Sequence, residues 1–523
     1  MGDEKTIYEW LGYRARHTPD FIYCIYEDRK ISFRTLQSSV GRLASGLSEL
    51  GVTAGQHVAV MLGNHPDHIF TIFALAELGA VWVPINVNLR GPSLDFIFEK
   101  SASSVLIADS EFWNQLVPVL AYENIETVIV RNARNIVTPS DRIKVLDFSA
   151  VPRKEAALVS TTRTLNEIRG ILFTSGTTGE PKGVLMTERM LKTCAVGAGI
   201  ASDARSGDVF LLWEPIYHSA SAQMCILALM EEITLALVSR FSASRFWDQV
   251  RKYRARKIHY LGGILDILLK APPSPNDKDH DVQIAFGAGC SKANWTAFET
   301  RFGVRIREVY GLTEASGFST VNKSGKIGSV GKPYPYFEIK IVDNEGKPLG
   351  VGQVGEIVLR EKLPGLITRG YLENPEATAK ALRDGWFHTG DLGYYDEEGD
   401  FYFSGRTKDS IRRRGENISA WEVERVLNSH PKIQESAVLG VDADVGEQEL
   451  KAFIVPTGGS VLEPLEIIKW CETRLPYYQI PRYIAFSDSF EKTPTERIRK
   501  EHLSKGTIEC WDLQSSGYRI KWK

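Results

Sequence analysis

Short apolar runs that alternate with helix-like stretches limit the folds open to this chain more than any other feature. HVAVML (57–62) reads as a strand and leads into a helix-like HPDHIFTIFALAELG (65–79). VWVPI (81–85) and SVLIAD (104–109) read as strands again. This alternation predicts parallel sheets with helices on both faces. A second set runs through GDVFLL (207–212), KIHYLGG (257–263) and VQIAFGAG (282–289). From Phe337 the texture changes to short β-rich pieces, FEIKIVDNEGKPL and VGEIVLR, joined by Gly and Asn turns. That pattern predicts a small antiparallel or barrel-like subdomain. SGRTKDSIRRRGENIS (404–419) is rich in charge and glycine, and a compact α+β pattern follows it. The expected class is α/β. A large N-terminal domain (1–404) holds doubly wound, mixed or parallel sheets and a β subdomain (335–404). A hinge lies at 405–409, and a small α+β domain spans 410–523.

Composition excludes several other classes. With 43% hydrophobic and 24% charged residues the chain is neither disordered nor of low complexity. Lys+Arg 63 against Asp+Glu 65 leaves a net charge of −2, which gives no global footprint for nucleic acid. The six cysteines show no CxxC spacing, so neither a zinc site nor a redox motif is expected, and a reducing compartment fits them. MGDEKTIYEW places acids where a secretory signal needs bases. Met1-Gly2 with Thr6 formally matches a myristoylation pattern, but the acids after it favour an ordinary start. The apolar run Met224–Met230 is far too short to span a bilayer. A cytoplasmic protein is expected.

The segment ILFTSGTTGEPKGVLMT (171–187) carries the most chemistry. Small residues let backbone N–H groups approach a polyphosphate, hydroxyls add donors, and one lysine adds charge. It is not a Walker A loop, because the G-x-x-x-x-G-K-[ST] spacing is absent. A flexible surface turn is the plainer reading. Against it, residues 175–183 pack two Thr, one Ser, three Gly and one Lys into nine positions.

TSGTTGEPKG resembles the phosphate-loop signature of the adenylate-forming superfamily, which includes acyl-CoA synthetases, peptide-synthetase adenylation domains and luciferases. Five further segments are similar to that family's motifs, in its order: WEPIYHSAS (213–221), GAG (287–289), YGLTEAS (310–316), FHTGDLGYYDEEG (387–399) and SGRTKDSIRRRGENISAWEVE (404–424). Within the superfamily, GENIS, FWDQVRKYRARKIHYLGG and the tail resemble the branch with crotonobetaine/carnitine–CoA ligases.

The resemblance implies a two-step reaction. A carboxylate attacks the α-phosphorus of ATP to give acyl-AMP and pyrophosphate, and a thiol then displaces AMP. An anion meets a polyanion in the first step, so neutralising and positioning charge dominate. It also implies roles for single residues. Thr174, Ser175, Gly176, Thr177, Thr178, Gly179 and Lys182 would hold the β- and γ-phosphates. Glu314 would ligate Mg²⁺, and Thr313 an α-phosphate oxygen. Gly287, Ala288, Gly289, Tyr310 and Gly311 would surround the adenine. Asp391 would take the ribose hydroxyls, with Arg406 beside it. Tyr217, His218, Ser219, Gly262, Gly263, Leu312 and Ser316 would line the acyl pocket, with His218 as wall or gate. Lys408 would be the hinge. Gly415 would line the pantetheine tunnel, and Arg412–Arg414 would meet CoA phosphates or form a solvated face. ATP, Mg²⁺ and coenzyme A are the implied cofactors and cosubstrates. A small carboxylic acid is the implied partner, and the protein would be a monomer or homodimer.

Plainer readings stand beside these roles. Glu314 could be a first-turn acid with Thr313 as helix cap, and Asp391 an ordinary turn aspartate. Trp213, Glu214 and Tyr217 could cradle a trimethylammonium group, or be core. The tail departs from the family's P-x-T-x-x-G-K pattern: FEKTPTERIRKEHL places Glu496-Arg497 at the Gly-Lys positions. Arg497 keeps the charge but not the ammonium's shape, and Lys492 or Lys500 could substitute. The alternatives to CoA ligation are transfer to a carrier protein or amine, and a non-catalytic nucleotide binder.

Overall fold

In the computed structural model of this protein, apolar runs become strands buried on both faces, as parallel sheets require. It describes residues 4–89, 92–121, 124–133, 136, 140–152, 164–174, 181–407, 410–413, 416–442, 448–475, 477–492 and 498–520. The chain divides into two compact units, Met1–Glu338 with Leu359–Phe387, and Ile339–Val358 with His388–Lys523. The sequence reading places that division at 404–410 instead.

The first unit holds two large sheets. Its early strands are β1 (Ile22–Tyr26), β2 (Arg29–Ser32), β3 (His57–Met61), β4 (Val81–Pro84), β5 (Val105–Asp109), β6 (Thr127–Arg131), β7 (Lys144–Asp147), β8 (Ile168–Thr174) and β9 (Lys182–Thr187). Its later strands are β10 (Val209–Leu212), β11 (Thr234–Leu237), β12 (Lys257–Leu261), β13 (Ile284–Ala288), β14 (Arg305–Leu312), β15 (Gly317–Val321) and β16 (Lys332–Pro333). One sheet has the order β7-β6-β5-β3-β4-β8-β9, the other β16-β15-β14-β13-β12-β10-β11-β1-β2. Both are parallel inside and antiparallel at their edges, at β8–β9, β1–β2 and β14–β15. The doubly wound, mixed architecture expected from the alternation is the one found.

Helix Pro66–Leu78 shows the local causes. Proline sits in its first turn, and His65 caps it by accepting the Asp67 N–H at 3.1 Å. It is apolar nearly all round because it is buried nearly all round. KIHYLGG differs from its reading. The strand ends at Leu261, and Gly262 opens the helix Gly262–Lys270.

The β-rich stretch forms β17 (Phe337–Val342), β18 (Gly355–Glu361), β19 (Leu382–Arg383), β20 (Trp386–Tyr395) and β21 (Phe401–Arg406), in the order β17-β18-β20-β19 with β21 on β20. Just after the expected hinge, the charged stretch contains a hairpin, β22 (Ser410–Arg413) with β23 (Glu416–Ser419). Ile411 and Ile418 pair across it and are buried with Val423, Leu427 and Leu450 in the core of the second unit. Strands β24 (Ile433–Asp442), β25 (Gln448–Pro456), β26 (Tyr483–Phe486) and β27 (Trp511–Asp512) make that unit's other sheet. Helices Ala420–Asn428 and Pro464–Glu472 bury their apolar faces in the same core.

Candidate active site

The β8–β9 hairpin presents the phosphate-loop segment. Thr174 and Lys182 face each other at its loop end, and Thr174 Oγ1 donates to the Lys182 carbonyl at 3.5 Å. Ser175, Gly176, Thr177, Thr178 and Gly179 lie outside the described residues. Lys182 Nζ stands 5.1 Å from the centroid of the Tyr371 ring, a cation–π distance.

Tyr371 belongs to a strap that ties this hairpin to the YGLTEAS turn. Leu372 N–H donates to the Gly183 carbonyl at 2.8 Å, and Tyr371 bridges to Val184. The Tyr371 hydroxyl donates to Glu314 Oε1 at 2.9 Å. Burial, with the Glu314 carboxylate beside it, pushes that phenol far above its usual range, so it stays a neutral donor. Thr368 N–H donates to the Glu314 carbonyl at 2.8 Å, and Ser316 Oγ to the Leu366 carbonyl at 2.6 Å. Lys182, Tyr371 and Glu314 therefore form one continuous chain of contacts.

Glu314 sits in a three-residue 3₁₀ turn, Thr313–Ala315, preceded by Leu312 with no side-chain cap. The helix-cap reading of Thr313 and Glu314 thus fails, because no α-helix starts there. Among the described residues no group of three or more His, Cys, Asp or Glu side chains is placed to hold a metal. A site with one carboxylate fits magnesium, which takes one or two carboxylates and fills its shell with water and phosphate oxygens.

Lys182→Ala removes the ammonium but little packing. We expect weaker ATP·Mg²⁺ binding by about tenfold, the scale of one charge-assisted contact, with an unchanged melting temperature. Isothermal titration measures it, and unaltered ATP affinity would remove Lys182 from the site.

The Gly287–Gly289 segment lies at the end of β13, beside the end of β12 and the middle of β14. Tyr310 is buried in β14 opposite Thr320. A Cβ at Gly311 would stand 1.8 Å from the Gly317 carbonyl oxygen, so only glycine fits where β15 closes on β14. Buried Glu308 accepts the Gly289 N–H at Oε1 and the Cys290 N–H at 3.1 and 3.2 Å, and the Tyr260 hydroxyl donates to Oε2.

The acyl-pocket candidates divide. His218 caps helix Ser219–Glu231, its Nδ1 accepting the Ala220 N–H at 3.3 Å, so one ring nitrogen already serves the backbone. Tyr217 is half-buried, and burial pushes its phenol up to about 12. Ser219 and Leu312 are half-buried. Gly263 is exposed and has open space where a side chain would begin. Ser316 is fully buried, its hydroxyl already committed to Leu366. Trp213 and Glu214 are core: Trp213 Nε1 donates to the His259 carbonyl at 3.1 Å, and Glu214 Oε1 pairs with His259 Nδ1. Of the three residues read as a trimethylammonium cradle, Trp213 and Glu214 are thus core, which leaves only Tyr217 partly exposed.

In the second unit Asp391 and Arg406 are register partners on β20 and β21, with Arg406 Nε 3.1 Å from Asp391 Oδ1. Asp391 is buried within a strand, so it is not a turn aspartate. Glu356, which sequence reasoning missed, fixes this segment. It accepts the Gly390 N–H at 2.9 Å and pairs with His388 Nδ1 at 2.8 Å. Of the Arg412–Arg414 run, Arg414 lies outside the described residues, and Arg413 is not on a solvated face. It is buried, paired with Glu449 at 2.6 Å, and donates to the Ile480 carbonyl at 2.9 Å. Lys492 pairs with Glu435 at 2.8 Å and Lys500 with Glu424 at 2.7 Å. Lys408, Gly415 and Arg497 lie outside the described residues.

The AMP-binding enzyme family matches residues 11–372, and the AMP-binding enzyme C-terminal domain matches residues 422–497. Crotonobetaine/carnitine–CoA ligase of Salmonella typhi is 33% identical over 491 residues, covering 91% of this chain and 93% of that protein. The o-succinylbenzoate CoA synthetase of Bacillus subtilis, solved with its acyl-adenylate intermediate, has a TM-score of 0.83 at 25% identity and covers 96% of this chain and 98% of its own. The same enzyme has been solved with ATP and magnesium ion, also at a TM-score of 0.83 and 25% identity, covering 96% of this chain and 100% of its own. Fold and relatives together define an adenylate-forming ligase. The chain belongs to the AMP-binding enzyme family.

Proposed function

We propose that this enzyme, an AMP-forming carboxylate–CoA ligase, converts a small carboxylic acid, ATP and CoA into acyl-CoA, AMP and pyrophosphate. The observation that carries this reading is the chain Lys182–Tyr371–Glu314, which joins the cation of the phosphate hairpin to the carboxylate suited to magnesium. The named relatives are ligases that form CoA thioesters, and the reading extends that reaction class to this chain.

Lys182, Thr174 and the Ser175–Gly179 loop bind the β- and γ-phosphates in this reading. Glu314 ligates Mg²⁺, and Tyr371 orients its carboxylate by donating to one oxygen. The metal, when bound, screens the phosphate charge that the incoming carboxylate must approach. Thr313 donates to an α-phosphate oxygen. Gly287, Ala288, Gly289, Tyr310 and Gly311 receive the adenine, and Asp391 with Arg406 the ribose. Arg497 supplies the charge that meets the carboxylate and α-phosphate during adenylation. Lys408 is the hinge between the half-reactions, within 405–409. Gly415 lines the pantetheine path. Tyr217, His218, Ser219, Gly263 and Leu312 face the acyl group, and open space at Gly263 leaves room for a medium-sized acid.

We place the enzyme in the cytoplasm as a monomer or homodimer. All six cysteines are free, as a reducing compartment keeps them. No helix among the described residues is long and apolar enough to cross a membrane.

Pyrophosphate release, measured over a panel of aliphatic, aromatic and betaine acids, tests the reading. The expected result is acid-dependent release, with AMP produced on addition of CoA. Acid-dependent release with AMP formed only on addition of an acyl carrier protein would move the acceptor. No release with any acid would favour a non-catalytic nucleotide binder.

A further inference from the structure

A row of side chains beneath the Gly287–Gly289 turn has one gap in it. Tyr260, Gly287 and Glu308 stand in register across β12, β13 and β14. In-register residues of parallel strands face the same side of the sheet, on strands about 4.8 Å apart. The missing side chain at 287 lets the Tyr260 ring lie over the middle strand and reach Glu308 Oε2. A Cβ at 287 would stand 1.9 Å from the Tyr260 carbonyl oxygen and 2.9 Å from the Tyr260 Cγ.

Glu308 continues the line past the strand end. It takes the Gly289 N–H and the Cys290 N–H, just where Gly289 turns the chain with φ +94°. Ser291 then caps helix Lys292–Phe302 by accepting the Asn294 N–H at 3.1 Å. One buried carboxyl therefore holds the corner between β13 and that helix. An apolar side chain at 308 would avoid the desolvation cost but leave two backbone N–H groups unpaired.

We propose that Glu308 is a positioning residue for nucleotide binding: it fixes the turn that receives the adenine through the Gly289 and Cys290 N–H groups, and Tyr260 fixes Glu308. This rests on the reading of Gly287–Gly289 as the adenine turn. Burial pushes the Glu308 carboxyl up to about 8, against the pull of the three donors that hold it. A glutamine amide can hold the same partners with the Tyr260 bond reversed. Its oxygen accepts both backbone N–H groups, and its NH₂ donates to the Tyr260 oxygen.

Isothermal titration of the full chain with ATP·Mg²⁺, and separately with inorganic pyrophosphate, tests the proposal on Glu308→Ala, Glu308→Gln and Tyr260→Phe. Glu308→Ala should weaken ATP by about tenfold and pyrophosphate by less than about twofold, since pyrophosphate does not touch the turn. Glu308→Gln should restore ATP affinity to within about threefold of wild type. Tyr260→Phe keeps the ring and removes one donor, so it serves if Glu308→Ala does not fold. It should cost ATP alone about threefold. Equal weakening of both ligands, or unchanged ATP affinity in the folded variants, would overturn the proposal while leaving the ligase reading intact. Wild-type protein that binds no ATP would instead remove the ligase reading itself.

Discussion

Arg497→Ala should depress acyl-adenylate formation by about 10²–10³-fold, the usual cost of losing one donor aimed at developing charge. The family pattern puts a lysine at this position, and this chain has arginine. The two nearby lysines that could substitute are engaged elsewhere. Lys492 is held 2.8 Å from Glu435 and Lys500 2.7 Å from Glu424, and both partner carboxylates are largely buried. Moving either lysine would strand a largely buried carboxylate, which is costly. Glu424 also accepts the Val438 N–H at 2.6 Å, so its pairing is part of the packing of the second unit. These ion pairs support the proposal that Arg497 supplies the charge for adenylation. Single-turnover acyl-AMP formation measures the first half-reaction, and thioester formation from supplied acyl-AMP measures the second. The second should change far less, because the family's adenylation lysine acts only in the first. Arg497→Lys should keep or improve adenylation, since an ammonium is the smaller group. Intact adenylation in Arg497→Ala would refute the assignment, and Lys492→Ala and Lys500→Ala would then be compared.

What was legible in the sequence follows from physical range. Strands such as β3 and β12 are buried on both faces, so a few consecutive apolar residues announce them. The helix Gly262–Lys270 was hidden because two glycines, poor helix formers, open it. The β22–β23 hairpin was hidden because its core residues Ile411 and Ile418 sit in a stretch otherwise dominated by charge and glycine. Motif residues were visible because their chemistry is local. Their supports were not, because a support is chosen by the tertiary fold. Tyr371 is 57 residues from Glu314, and Glu356 is 34 from Gly390. Neither carries a local pattern. Glu308 carried a faint one, a lone acid inside the buried run of IREVYGL, where an unpaired carboxyl would be expensive.

Glu314→Gln should lower adenylation by about 10²-fold at low magnesium, the upper end of what a lost metal-site partner costs. Glutamine keeps the shape and removes the charge. Its amide can still accept from Tyr371 through its oxygen, so the strap and the 3₁₀ turn should persist and the melting temperature should stay near wild type. High Mg²⁺ should restore part of the rate, because the loss lies in metal affinity. Tyr371→Phe should cost about tenfold by letting the carboxylate turn, without removing it. The two substitutions act through one bond, so the double variant should be barely worse than Glu314→Gln alone. Steady-state rates across a magnesium series, for wild type, both single variants and the double, close that cycle. Additive losses would mean that Tyr371 acts elsewhere, for instance only under Lys182. A Glu314→Gln enzyme as fast as wild type at low magnesium would remove Glu314 from the metal site.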